Sequence, residues 1–159
     1  MKKMTSVILL LLVFSGFSMA QKETDKKENI KALIESRQFK FTARSVTPMS
    51  GGTINLTSTY DFSVDSMQVE SWLPFYGRAY QSDYGSTEGG IKFKEVAKVL
   101  EVERNDKKDS YEIRIEVDTA KDSYKIDIHA GDSGYASMSI LSNRRQSVSY
   151  YGIIEPLDE

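Results

Sequence analysis

The stretch SYEIRIEVDTAKDSYKIDIHAGDSGYASMSILS, residues 110–142, decides the fold. Its apolar residues recur at every second position, the period of a strand with one buried face. If the four residues Thr119–Asp122 close a hairpin, Val117 faces Tyr124, Ile115 faces Ile126 and Ile113 faces Ile128. The same register sets Glu116 opposite Lys125, Arg114 opposite Asp127 and Glu112 opposite His129. Apolar and charged partners match at once only in the correct register, because a slip of one residue exchanges the faces.

A three-residue loop, Asp132-Ser133-Gly134, with glycine in the left-handed position, is a favoured hairpin geometry. It pairs Ile126 with Ile140, Ile128 with Met138 and Ala130 with Ala136. A similar loop at Asn143–Arg145 continues the layers into SVSYYGII, residues 147–154. One layer then reads Ile115, Ile126, Ile140, Val148 and the next Ile113, Ile128, Met138, Tyr150. The last reads Tyr111, Ala130, Ala136, Gly152, and close packing requires a large group over those three small residues. Phe75 or Tyr76 is the expected cover near Gly152.

Working outward, NIKALIESR places Ile30, Leu33 and Ile34 on one helical face, predicting a short helix over about Asp25–Arg37. QFKFTA (38–43) and TINLTSTYDFSV (53–64) alternate as strands, the second with Ile54, Leu56, Tyr60, Phe62 and Val64 inward. A two-residue turn at Asp65-Ser66 would set Val64 opposite Met67 and Phe62 opposite Val69. GIKFK (90–94) and KVLEVER (98–104) resume the alternation. The fold class expected is all-β, an antiparallel up-and-down barrel-like meander of about eight or nine strands with one short N-terminal helix; a two-sheet sandwich is the alternative.

MKKMTSVILLLLVFSGFSMA, residues 1–20, has the basic start, apolar run and small-residue end of a secretory signal peptide cleaved after Ala20. Its apolar run is shorter than the roughly 20 residues that span a bilayer. Residues 21–37 form a polar linker and the helix, and residues 38–159 the β-barrel-like domain. The mature chain carries no second long apolar run, so no membrane span remains after cleavage and the expected location is periplasmic or extracellular. There is no cysteine, so a single core must hold the domain together in an oxidising compartment. Loss of Lys2 and Lys3 with the leader takes 21 basic residues to 19 against 23 acidic ones, net −4. Nucleic-acid binding needs clustered positive charge, and Arg144-Arg145 is the nearest approach to it.

Candidates for chemistry are few. The one histidine, His129, falls on the polar face opposite Glu112, a poor place for a catalytic base. NDKKD and GDSG lack the ligand density of a calcium loop. No catalytic, metal-binding or cofactor-binding residue is assigned; a carboxylate-based hydrolase, whose two acids are free to lie far apart in the chain, is the least favoured reading. LPFYGRAYQSDYG, residues 73–85, admits two readings. In the first its rings pack over bare glycine backbone; in the second Trp72, Tyr76, Arg78, Tyr80 and Tyr84, with Tyr150, line a ligand site, Arg78 and Tyr80 foremost. Arg144 and Arg145 are either solvated or bound to backbone carbonyls.

The leader, YDFSVDSMQVESWLPFYGRAY, GGIKF and GYASMSILSNRRQSVSYYGII together resemble the secreted bacterial family known as domain of unknown function 4251. The resemblance covers nearly all of the mature chain, with LPFYGRAY and NRRQSVSYYG its most specific blocks. It implies a lipocalin-like β-barrel architecture and export, and it brings no catalytic residues. The functional expectation is an exported non-catalytic binding module for a small apolar or amphipathic ligand; the alternative is an envelope protein interaction or assembly factor.

Overall fold

A computed structural model of the chain describes residues 25–80 and 90–158. Helix α1 covers residues 25–35. It ends where Arg37 takes the left-handed conformation at φ 57°, and the Arg37 carbonyl accepts the Ser66 N–H at 2.8 Å, joining the helix end to a strand turn.

Nine strands follow: β1 (Gln38–Pro48), β2 (Ile54–Asp65), β3 (Gln68–Pro74), β4 (Gly90–Val96), β5 (Val99–Asn105), β6 (Ser110–Asp118), β7 (Ser123–Gly131), β8 (Tyr135–Ser142) and β9 (Val148–Glu155). They form one curled half-barrel sheet in the order β4-β3-β2-β1-β9-β8-β7-β6-β5, with every pairing antiparallel. First and last strands therefore pair, and the sheet breaks between β4 and β5. Those two strands stand at opposite ends of a nine-stranded antiparallel order and so run in the same direction. Only Ala97 and Lys98 separate them. The Ala97 N–H donates to Met67 and the Lys98 N–H to Glu116, both at 2.8 Å. In effect one long strand changes partner there from β3 to β6, and the ring is that of an eight-stranded meander with a split strand.

An eight-stranded ring is just wide enough for side chains to fill. Here Phe39, Phe41, Phe62, Leu73, Ile91 and the Ile113, Ile115, Ile126, Ile128 ladder are all essentially fully buried. Every pairing expected across β6–β9 is present, from Ile115–Ile126–Ile140–Val148 to Tyr111–Ala130–Ala136–Gly152. The charged face agrees as well, with Lys125–Glu116 at 3.1 Å and Arg114–Asp127 at 3.6 Å. Gly134 has φ 84°, as the three-residue loop requires.

Three expectations are corrected. The β2–β3 turn is Ser66-Met67, so Val64 faces Val69 and Phe62 faces Ser71; Ser66 takes the left-handed position, φ 58°, with its N–H tied to Arg37. The alternation of β2 buries only Phe62 and Val64, because β2 advances five residues, Asn55 to Tyr60, while β1 advances two, Ala43 to Ser45. This irregularity leaves Ile54 exposed and Leu56 and Tyr60 only partly covered.

The third concerns the small-residue row, which β1 extends by pairing Ala43 with Gly152. Neither Phe75 nor Tyr76 covers Gly152. A Cβ there would stand 2.1 Å from the Thr42 carbonyl oxygen and 2.9 Å from Cζ of Phe41, so β1 itself occupies the space. At the end of β8, Cδ1 of Ile30 from α1 stands 2.9 Å from where a Cβ on Gly134 would lie. The helix and the Phe41 ring are what the row of small residues accommodates.

Candidate functional site

At the end of the strands opposite α1, residues 75–80 form a strap that leaves β3 and crosses to the turn between β8 and β9. An isolated bridge joins Ala79 to Arg145. Gln146 N–H donates to the Arg78 carbonyl at 3.0 Å, Tyr80 N–H to the Arg144 carbonyl at 2.8 Å, and Arg78 N–H to Oε1 of Gln146 at 3.0 Å. The blocks LPFYGRAY and NRRQSVSYYG are thus direct partners. Two further links run between them. The Tyr150 hydroxyl donates to the Pro74 carbonyl at 2.8 Å. The Arg145 guanidinium lies 5.3 Å from the Phe75 ring centroid and donates to the Gly90 carbonyl at 2.8 Å, so its role is the carbonyl-binding one.

The turn is itself anchored by a residue that sequence reasoning passed over as part of a plain loop. Asp122, buried at the β6–β7 turn, accepts from the Ser142 hydroxyl and from the Ser123 and Asn143 N–H groups. Ser142 Oγ in turn accepts the Arg144 and Arg145 N–H groups at 3.0 Å each. Asp and Ser are the residue types that hold turns through local backbone bonds; their presence at the ends of TAKD and SILS was the available signal.

The expected site residues divide. Tyr150 belongs to the core, 2% exposed, and burial holds its phenol well above the usual tyrosine range. Phe75 folds back so that its Cζ would be 2.9 Å from a Cβ on Gly77, which is the ring-over-glycine packing reading. Tyr76, Arg78 and Tyr80 are exposed on the strap. Tyr84 lies outside the described residues. Trp72 points outward from β3, 52% exposed, with the Lys92 ammonium 3.9 Å from its ring centroid. Beside them is an open depression lined by Tyr60, Trp72, Leu73, Pro74, Gly90 and Lys92, formed where the β2–β3 ladder stops at Asp61–Trp72 and β2 continues paired only with β1. His129 pairs with Glu112 on the outer face of the sheet, as its register requires.

Together, the split meander and its strapped end define a class: an antiparallel β half-barrel domain with a side-chain-filled interior and an aromatic outer rim. The chain belongs to the family described as domain of unknown function (DUF4251), whose model matches residues 21–154. Among solved structures it is similar to a DUF4251 family protein from Bacteroides eggerthii DSM 20697, at 16% identity and a TM-score of 0.63 over 82% of this chain and 87% of that one. No curated protein matches.

Proposed function

We propose that this chain is an exported, non-catalytic binding module that takes a small amphipathic ligand at the outer rim, in the depression between Trp72, Lys92 and Pro74. The observation that supports it most is the Trp72–Lys92 pair: a half-exposed indole on a rigid strand with a cation over its face. Such a pair offers an apolar surface and a charge side by side, the combination an amphiphile with an anionic head needs. Tyr76, Arg78 and Tyr80 on the adjacent strap supply more of the same chemistry. Among the described residues the interior is packed with buried apolar side chains, which favours the rim over an internal cup. Export rests on the leader-like residues 1–20.

Trp72 is the chain's one tryptophan, so its emission reports this site directly. Titration of the mature protein with anilinonaphthalene sulfonate is expected to quench Trp72, and Lys92→Ala is expected to weaken the effect. Dye binding with unchanged Trp72 emission, or no binding, refutes the rim site. Intact mass of the chain recovered from its own cell envelope fraction tests export, a start at Gln21 being the expected result.

A further inference from the structure

The outer face of the sheet is divided by charge. On β5–β7 its side chains are ionic and paired across strands, as in Arg114 with Glu101 at 3.3 Å and Lys125 with Glu116 at 3.1 Å. On β8 and β9 the character changes within one strand spacing. Tyr135, Ser137, Ser139 and Leu141 alternate outward on β8, and Ser149, Tyr151 and Ile153 on β9, with no formal charge until Glu155 at the end of β9, whose carboxylate accepts from the Thr42 hydroxyl at 2.6 Å. The β1–β9 register carries this field onward, setting Ser45 beside Tyr151 and Thr47 beside Ser149, with the exposed bulge residue Arg44 next to them.

Within the field two rings are held parallel. Tyr135 and Tyr151 have centroids 6.1 Å apart and planes 6° from parallel, and they are 53% and 50% exposed. They are diagonal neighbours, since Tyr151 pairs with Ser137 and Tyr135 with Ile153. Lys26 of α1 lies 5.8 Å from the Tyr135 ring centroid, closing one end of the pair and leaving Tyr151 as its open end. These side chains stand on central strands laddered on both sides, so little ordering cost remains on binding.

We infer that this face binds a neutral polysaccharide chain. The open face of Tyr151, backed by the stacked Tyr135 ring, gives the C–H face of a pyranose unit a flat apolar support. Ser137, Ser139 and Ser149 supply hydroxyls that both donate and accept, as a sugar hydroxyl does, and Arg44 adds donors at the margin. Lys26 and Arg44 stand only at its two margins, and between them an acidic polymer would find hydroxyls rather than cations. The pattern fits an uncharged partner, and it is independent of the rim site at Trp72.

Affinity electrophoresis of the mature protein tests the assignment, in native gels cast with laminarin, xyloglucan, dextran or polygalacturonate. The expected result is retardation by at least one of the three neutral polymers and none by polygalacturonate. Tyr151→Ala and Ser139→Asp, both on the outer face, are each expected to abolish the retardation while leaving thermal melting within a few degrees of the parent and anilinonaphthalene sulfonate binding at Trp72 intact. Mobility unchanged in all three neutral gels overturns the inference, as does retardation that both variants retain. A concentration-dependent dimer that Tyr151→Ala dissolves also overturns it, because a second copy then occupies the face.

Discussion

Replacing Gly152 by alanine would place a methyl group where β1 already is. Its Cβ would meet the Thr42 carbonyl oxygen at 2.1 Å, the Thr42 carbonyl carbon at 2.9 Å and the Phe41 ring at 2.9 Å. A carbon and a carbonyl oxygen approach to about 3.3 Å at closest in sheets, so relief demands that β1 and β9 part by about 1 Å. That movement stretches the Thr42–Ile153 and Ala43–Gly152 pairings beyond hydrogen-bonding range. Overpacking costs about 1–3 kcal/mol and each lost ladder bond about 1 kcal/mol, which sets the expected loss at about 3 kcal/mol or more. At about 2–4 °C per kcal/mol for a chain of this size, Tm falls by about 6–12 °C. Thermal and urea unfolding followed by circular dichroism measures both quantities. Two other glycines calibrate the series. Gly134→Ala strains a residue at φ 84° but its one tight contact is the movable tip of Ile30, the Ile154 carbonyl lying at 3.7 Å, and Gly52→Ala meets nothing within 4 Å. The expected order of loss is Gly152, Gly134, Gly52, with the last within about 0.5 kcal/mol of the parent. A Gly152→Ala protein within about 1 kcal/mol of the parent would refute the first-to-last strand packing.

Three further perturbations follow from the strapped end. Tyr150 is kept protonated by burial when folded but ionises near pH 10 when unfolded, so its stabilisation is complete below about pH 10 and declines as pH rises toward the folded-state value. Tyr150→Phe should cost about 1 kcal/mol at neutral pH through the lost bond to Pro74, and should flatten the alkaline decline in urea midpoints; burial pushes Tyr111 and Tyr124 the same way, so some decline remains. Arg145→Ala removes the guanidinium from the Gly90 carbonyl and the Phe75 ring, and trypsin cleavage after Arg78 should accelerate; an unchanged cleavage rate contradicts the anchoring role. Asp122→Ala leaves the Ser123 and Asn143 N–H groups without their carboxylate, at a cost of about 1.5–3 kcal/mol by denaturant titration, and should also loosen the strap to trypsin.

The β6–β7 register was legible because both strands carried two independent patterns, and loop length with glycine at 134 carried it on to β8 and β9. Ile115 with Ile126 fixed the face, and Glu116 with Lys125 then fixed the offset. Where neither a charged pair nor a glycine marked the turn, the reading slipped. The β2–β3 turn has apolar alternation on both arms but no charged cross-strand pair to separate an offset of two, and the position was decided by Ser66 bonding to Arg37, a residue 29 positions earlier. The cover over Gly152 was misjudged for a related reason. A small residue says that something approaches closely, while its neighbour is set by the pairing of β1 with β9, a contact between chain ends that no local pattern encodes. The continuity of β4 into β5 did leave a trace: Val96-Ala97-Lys98-Val99 contains no glycine, proline or asparagine, the residues a reversal normally uses. The strap was legible only as an aromatic-rich stretch, because its bonds to residues 144–146 are mostly backbone to backbone and carry no side-chain signature.

The way the strap is held bears on what the rim can do. A segment that opens and closes over a cavity is drawn from the weakly held parts of a fold. This one is bonded along both flanks, through Ala79 to Arg145 on the side of β8–β9 and through Pro74, against which the Tyr150 hydroxyl closes, on the side of β3. Asp122 and Ser142 fix the turn from beneath, so displacing the strap would expose several polar groups at once. Among the described residues, the core beneath it is packed with phenylalanine, isoleucine and tyrosine side chains. A firmly held strap over a filled ring is a wall, and what it offers a partner is its outer surface. Tyr76, Arg78 and Tyr80 are therefore presented in a fixed arrangement near Trp72, and a ligand of the kind proposed for the rim would dock onto a preformed surface at little ordering cost.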